Sequence, residues 1–439
     1  MKRYVLLMLL TFATFVVWGQ AASSPPATSV KTGSFFELVK AGSAQAIQNA
    51  LDNGAKINVV GPLALDATNT IQVSPLFFAV WSNPSPEVLD VLVKAGADVN
   101  EKGPGDRSPL MLAAANNTVA VVNKLISLGA NVQAMRDDGR THIFYAADFN
   151  PNPEVITTLL RAGSDINAKD TNGNTVLIWA ASNNPKVDVI NALLKAGASI
   201  TDRNEDGLTP LMWAAGYSQN PEVITTLLKA GSDVNTRAMD GSTALILAAE
   251  NNQNPEVITT LIKAGAALEA QDKGGSTALM HAAGYNLNSD VITALLKAGA
   301  DITARDAGGW TALMAAAGKN QKPEVIDALL KAGASITDRN EDGLTPLMAA
   351  ANNNLNPDVI TVLLKAGAEI NARAKQKSVT ALMFAARFNP NPDIITTLLK
   401  AGADAKAKDD DGKTAFDYAQ LNEKLKGTDV YWKLNQAQY

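Results

Sequence analysis

The chain of 439 residues contains no cysteine and only two histidines, His142 and His281. Without thiols it forms no disulfide, holds no thiolate metal centre and offers no cysteine nucleophile. Two histidines some 140 residues apart make no compact metal site together, and each reads as a packing or surface residue. No Gly-x-Ser-x-Gly elbow occurs, so catalysis would rest on carboxylates alone, and an enzyme is not expected. The formal charge is −5, and about −7 without Lys2 and Arg3. That balance provides no basic stripe for nucleic acid. Aromatic residues make up only 5% of the chain, so where they stand carries information.

One apolar run opens the chain. Lys2 and Arg3 precede an uncharged stretch from Tyr4 to Val17, and Gly19-Gln20-Ala21-Ala22 supplies small residues. This is the pattern of a cleaved secretory signal over 1–22, too short for a bilayer span of roughly 20 apolar residues. With the absence of thiols, it leads to the expectation of a bacterial periplasmic or secreted protein with no membrane span after cleavage. Residues 23–32, rich in Ser, Pro and Thr, read as a flexible lead-in.

What fills the rest is repetition. Thr209-Pro210-Leu211-Met212-Trp213-Ala214-Ala215 is followed by Asn220-Pro221-Glu222-Val223-Ile224 and then Leu227-Leu228-Lys229-Ala230-Gly231. The frame returns at Ser74, Ser108, Thr141, Thr175, Thr243, Thr277, Thr311, Thr345, Thr380 and Thr414, a period of about 34 residues. Such a period signals a solenoid whose units hide their apolar faces against their neighbours. Helix one carries Leu, Met and two alanines slim enough for close approach. Helix two opens with Asn as cap, Pro at the first position and an acid at the positive end of the dipole. Its stripe of Val223, Ile224, Leu227 and Leu228 lies on one face, and Gly231 ends it in the left-handed conformation. A polar turn such as Asn204-Glu205-Asp206-Gly207 joins units. Ala192 to Met212 is identical to Ala328 to Met348, the mark of a block duplication.

This frame, Asp-x-x-Gly-x-Thr-Pro-Leu, two helices, then Leu-Leu-x-x-Gly-Ala-Asp-Val-Asn, resembles the ankyrin repeat. The helix-ending glycine recurs at Gly96, Gly129, Gly163, Gly197, Gly231, Gly265, Gly299, Gly333, Gly367 and Gly402. The resemblance implies an all-α ankyrin-repeat solenoid of about twelve stacked helix-turn-helix units with hairpin-like connecting loops. It would span 33–439, with capping repeats at 33–65 and 409–439 and regular repeats over 70–408. Two features depart from the family. Most units carry an extra residue between the helices. The usual His after Thr-Pro-Leu is replaced by Met111, Met212, Met280, Met314, Met348 and Met383, or by Phe and Ile, so apolar packing is expected where His would bond the turns.

Residues four and eight after the Thr vary from unit to unit and share one helix face. Aromatics gather there: Tyr145 with Phe149, Trp213 with Tyr217, Phe384 with Phe388, His281 with Tyr285, and Phe78 and Trp179 at the same offset. Trp81 is close by, Trp310 precedes its Thr on the hairpin, and helix two carries no aromatic in any regular unit. In proteins of the resembled family, helix one and the hairpin line the concave binding face. These residues are therefore the candidate partner-binding set, against the alternative that they fill inter-unit grooves. The expectation is a monomeric, non-catalytic scaffold for an unidentified protein, needing no cofactor or metal. Stacked rings with nearby Asn and Asp leave a cell-wall or carbohydrate binder as the alternative. The acids Asp137-Asp138, Glu205-Asp206, Glu341-Asp342 and Asp409-Asp410-Asp411 read as solvated turn residues. Asp202-x-Asn204-x-Asp206-Gly207 and its copy at Asp338 begin like a calcium loop but lack the closing Glu. Gly412-Lys413-Thr414 resembles the end of a phosphate loop without its earlier glycine.

Overall fold

The computed structural model describes residues 32–64, 70–83 and 85–437. The leader expected at 1–22 lies outside them, as does the lead-in at 23–32 save for its last residue. The described residues form 24 α-helices, one two-stranded sheet and one short 3-10 turn. They divide into two compact units. One ends at Ala180 and takes in Lys186–Ser199; the other takes in Ala181–Pro185 and runs from Ile200 onward.

In the first unit the pair Thr32–Ala41 and Ala44–Asp52 precedes Pro75–Ser82 with Pro86–Lys94, Pro109–Asn116 with Val119–Ser127, and His142–Phe149 with Pro153–Arg161. In the second unit the pairs are Pro210–Tyr217 with Pro221–Lys229, Ala244–Asn251 with Pro255–Lys263, Ala278–Tyr285 with Ser289–Lys297, Ala312–Lys319 with Pro323–Lys331, Pro346–Asn353 with Pro357–Lys365, and Ala381–Phe388 with Pro392–Lys400. Ala415–Ala419 and Asp429–Ala437 follow. Within each unit, helix one packs on the next helix one and helix two on the next helix two. This is the repeat solenoid that the sequence period implies.

The connection before Ser74 is more ordered than its sequence suggests. Gly61–Ala64 pairs antiparallel with Thr70–Val73. A Cβ at Gly61 would stand 2.5 Å from the Phe36 ring, so only glycine lets this strand close on the first helix.

Each repeat is stabilised by burial of a constant set. Val223, Ile224 and Leu227 are fully buried, as are their counterparts Val257, Ile258 and Leu261. Each such side chain contributes about 2 kcal/mol by leaving water. The Asn residues opening helix two accept the second helical amide, as Asn220 does from Glu222 N at 3.0 Å. Lys186 and Lys322 stand in that place in two repeats and make no such bond.

Three periodic hydrogen-bond systems join neighbouring repeats. At the end of helix one a buried asparagine reaches back to the preceding repeat. Asn286 Nδ2 donates to Ala249 O at 3.0 Å and Asn252 O at 2.8 Å; Asn320 Nδ2 donates to Ala283 O at 3.0 Å and Asn286 O at 2.7 Å. Asn117, Asn150, Asn252, Asn354, Asn389 and Asn422 do the same, Asn117 through one bond. Ala249 and Ala283 lie in the last turn of helix one, where carbonyls lack an intrahelical donor, so the asparagine satisfies them. At the hairpin tips, backbone amides donate to the preceding tip: Thr171 N to Asp138 O, Lys273 N to Asp240 O, Ala307 N to Gly274 O. Gly139, Gly241 and Gly275 sit at positive φ there, and a Cβ would come within 3.0 Å of the next tip's backbone. Between these, Arg203, Arg305, Arg339 and Arg373 each donate through Nη1 to a carbonyl of their own hairpin and one of the next.

The hairpins are therefore held by Asn, Arg and backbone bonds. The methionines that replace the usual His are buried, as at Met212 and Met314, where the capping Thr accepts their amides.

Candidate functional site

The varying face of helix one is built from the hairpin outward. An Asp at the hairpin base uses Oδ1 to accept two loop amides, which fixes its carboxylate. Asp170 takes Asn172 N and Asn174 N at 2.9 and 2.8 Å; Asp272 takes Gly274 N and Ser276 N at 2.8 and 2.9 Å. Oδ2 then meets the helix-one residue nine positions on. Trp179 Nε1 donates to Asp170 at 2.9 Å, His281 Nε2 stands 2.9 Å from Asp272, and the Tyr418 hydroxyl donates to Asp409 at 2.6 Å. Burial and the Asp409 charge push the Tyr418 hydroxyl up to about 12. Asp409 was expected to be a solvated turn residue and is instead a buried loop bracket.

In the first unit the candidate rings are largely covered. Phe78 is buried edge-on against Phe36, with centroids 5.3 Å apart. Tyr145 is buried too: its hydroxyl accepts Arg136 Nη1 at 2.8 Å, and Arg140 lies over its ring at 5.5 Å. These two therefore fill grooves rather than line an open face. Asp138, expected to be solvated, pairs with Arg136 at 2.9 Å and Arg140 at 3.0 Å. Trp81, Phe149 and Trp179 are half-buried. Phe149 stands 6.4 Å from Tyr145, and the Arg140 guanidinium covers the Trp179 ring at 4.7 Å. His142 is fully buried beside Ser108 Oγ at 3.1 Å, and burial drives its pKa down to about 4.

The second unit leaves its rings more open. Trp213 and Tyr217 are half-buried, with centroids 5.1 Å apart. The Trp213 Nε1–H is buried and finds no acceptor; nine residues earlier stands Asn204 where Asp170 serves Trp179. Phe384 is half-buried, Phe388 is 58% exposed, and Tyr285 is 38% exposed.

Around Tyr285 the face opens into a recess of about 490 Å³, lined by Asp272, His281, Tyr285, Asp306, Trp310 and Lys319 among others. His281 is gripped from both sides, by Asp272 and by Glu250 Oε2 at 3.1 Å from Nδ1. Burial opposes its charge, but the hydrogen bonds and charges of Glu250 and Asp272 outweigh that and hold the imidazolium above its usual range. Lys319 Nζ donates to the Tyr285 hydroxyl at 2.6 Å and lies 4.6 Å from that ring's centre. Tyr285 and Trp310, singled out in the sequence, thus share one site. Asp272, Asp306, Glu250 and Lys319 were not singled out there. The signal for Asp272 was the nine-residue spacing from hairpin acid to helix-one ring that Asp170–Trp179 and Asp409–Tyr418 share.

Neither loop of calcium-like sequence keeps its Asn oxygen for an ion: Asn204 Oδ1 accepts Leu208 N and Asn340 Oδ1 accepts Leu344 N, both at 2.8 Å. Among the described residues no helix is long and apolar enough to cross a membrane.

Compared with known proteins, residues 76–170, 143–238, 217–306 and 304–374 match the family described as Ankyrin repeats (3 copies), and 363–419 match Ankyrin repeats (many copies). Protein fem-1 homolog C from Homo sapiens, Mus musculus and Bos taurus is 40% identical over 73 residues. That match spans 14% of this chain and 12% of the length of those relatives.

Proposed function

The chain belongs to the ankyrin-repeat family, and from that premise we propose that it is an exported, non-catalytic scaffold that binds a protein partner on the concave face formed by helix one and the hairpins. The observation that carries this reading is the contrast between repeated and varied positions. The seam is nearly invariant from repeat to repeat, whereas positions four and eight after the Thr change and keep large rings partly in solvent at Trp213, Tyr217, Tyr285, Phe384 and Phe388, with Trp310 beside them on its hairpin. Rings held by neighbouring side chains present contact area with little entropy left to lose, which suits binding hot spots. Two points support export: the Lys2-Arg3 start with its apolar run, and a thiol-free composition compatible with an oxidising compartment. We take the working form to be a monomer.

The test is capture by the immobilised chain from an extract of its own cells. Trp213→Ala with Tyr217→Ala should reduce capture of its main protein partner at least tenfold while shifting Tm little. Capture unchanged with a large loss of stability would show that the rings only hold repeats together.

A further inference from the structure

Three hairpin carboxylates in this chain are completed by a planar donor nine residues on: the Trp179 indole, the His281 imidazole and the Tyr418 phenol. Asp306 has the same bracket, with Oδ1 accepting Gly308 N at 2.9 Å and Trp310 N at 2.8 Å. Nine residues on, however, stands Ala315, which has nothing to donate. Among the described residues no side chain donates to Asp306 Oδ2, and no ring or cation covers Trp310. Asp306, Trp310 and Ala315 all line the recess of about 490 Å³. The recess is, in part, the space of a missing ring.

We propose that this recess is a socket for one arginine side chain of the protein partner. The guanidinium would donate to Asp306 Oδ2 and lie against the Trp310 indole. Three observations select that group. Three other repeats show that a planar N–H or O–H donor suits the open oxygen. Among the described residues no cation pairs with Asp306, which favours a donor-only cation over a neutral ring. Arg140 lies over Trp179 at 4.7 Å in this same chain, so helix one and its hairpin can bring a guanidinium over an indole. Lysine lacks the plane needed to do both. The inference rests on the protein-binding reading above and gives it a chemical key.

The test uses the full chain with ¹⁵N-tryptophan, following the Trp310 indole signal, assigned with Trp310→Phe, as N-acetyl-arginine-N-methylamide is added. A saturable shift with a dissociation constant on the order of millimolar is expected for a single side chain. The citrulline analogue, equal in shape and uncharged, should bind at least tenfold more weakly, and the lysine analogue likewise. Asp306→Asn should weaken the arginine probe about tenfold; Asn holds the same two-amide bracket at Asn204, so the hairpin persists. Ala315→His rebuilds the Asp272–His281 arrangement and should abolish binding while raising Tm. Equal binding of arginine and citrulline probes, tighter binding of the tryptophan analogue, or indifference to both substitutions would overturn the proposal. Free arginine binding more than tenfold better than the blocked probe would also overturn it, because the site would then take a small molecule. No partner protein enters this experiment, so its failure with capture intact refutes the arginine assignment alone.

Discussion

Asn320→Ala removes one rung of the asparagine system. The side chain is 1% exposed and makes three bonds, to Ala283 O and Asn286 O through Nδ2, and from Lys322 N to Oδ1 at 3.0 Å. The truncation leaves two buried carbonyls short of a donor and one amide short of an acceptor. A hydrogen bond is worth about 1 kcal/mol net, and more when its loss strands a buried partner, so the total is about 3 kcal/mol. Repeat stability is close to a sum of local and nearest-neighbour terms, so the loss should show first beside the altered rung. Urea unfolding should give the reduced stability, and amide exchange should locate it near Asn286 and Lys322. Asn320→Asp should be worse, since it sets a carboxylate against two carbonyl oxygens. A cost below about 1 kcal/mol for both variants would refute the view that these bonds help hold one repeat to the next.

Asn204→Asp should give the buried Trp213 Nε1–H the carboxylate that Asp170 gives Trp179, raising stability by about 1 kcal/mol in thermal unfolding; no gain would show that the nine-residue spacing does not carry over. His142 is held neutral with a folded pKa of about 4, below its unfolded value of about 6.5. The unfolded chain therefore takes up the proton first, and stability should fall as pH drops from about 6.5 to 4, by up to about 3 kcal/mol. His142→Gln should flatten that part of the stability profile, measured by urea titration at several pH values. His281 has the opposite sign: its raised pKa contributes stability below the unfolded value, lost as pH rises through the folded one. His281→Gln should therefore cost more at pH 5 than at pH 9. If the leader is cut as proposed, N-terminal sequencing of the exported protein should begin at Ala22 or Ser23; an intact Met1 on the mature protein would contradict export by cleavage.

The repeat architecture was plain in the sequence because a helix-one seam of Leu, Met and alanines and a helix-two stripe recur with their caps in place. The asparagines after helix one recur as regularly, yet Asn beside Asn-Pro also fits a turn and a cap. Only coordinates show Asn252 and Asn286 crossing to the previous repeat. The candidate face was legible as a set of variable positions, but its openness was not. Whether a ring is free depends on neighbours outside its own helix: Arg136 and Arg140 of the adjoining hairpin close over Tyr145, and Phe36 of the preceding repeat over Phe78. Likewise the strands at Gly61–Ala64 and Thr70–Val73 depend on a glycine meeting a ring some twenty-five residues earlier, which no local pattern announces.

The most direct measurement is photocrosslinking in the native cell, with the photoreactive residue placed in turn at Tyr217, Tyr285 and Phe388 on helix one, and at Lys229 and Lys365 on helix two. If the helix-one and hairpin face is the docking surface, the first three positions yield the same protein adduct and the helix-two positions yield none. Adducts confined to the helix-two positions would contradict that claim.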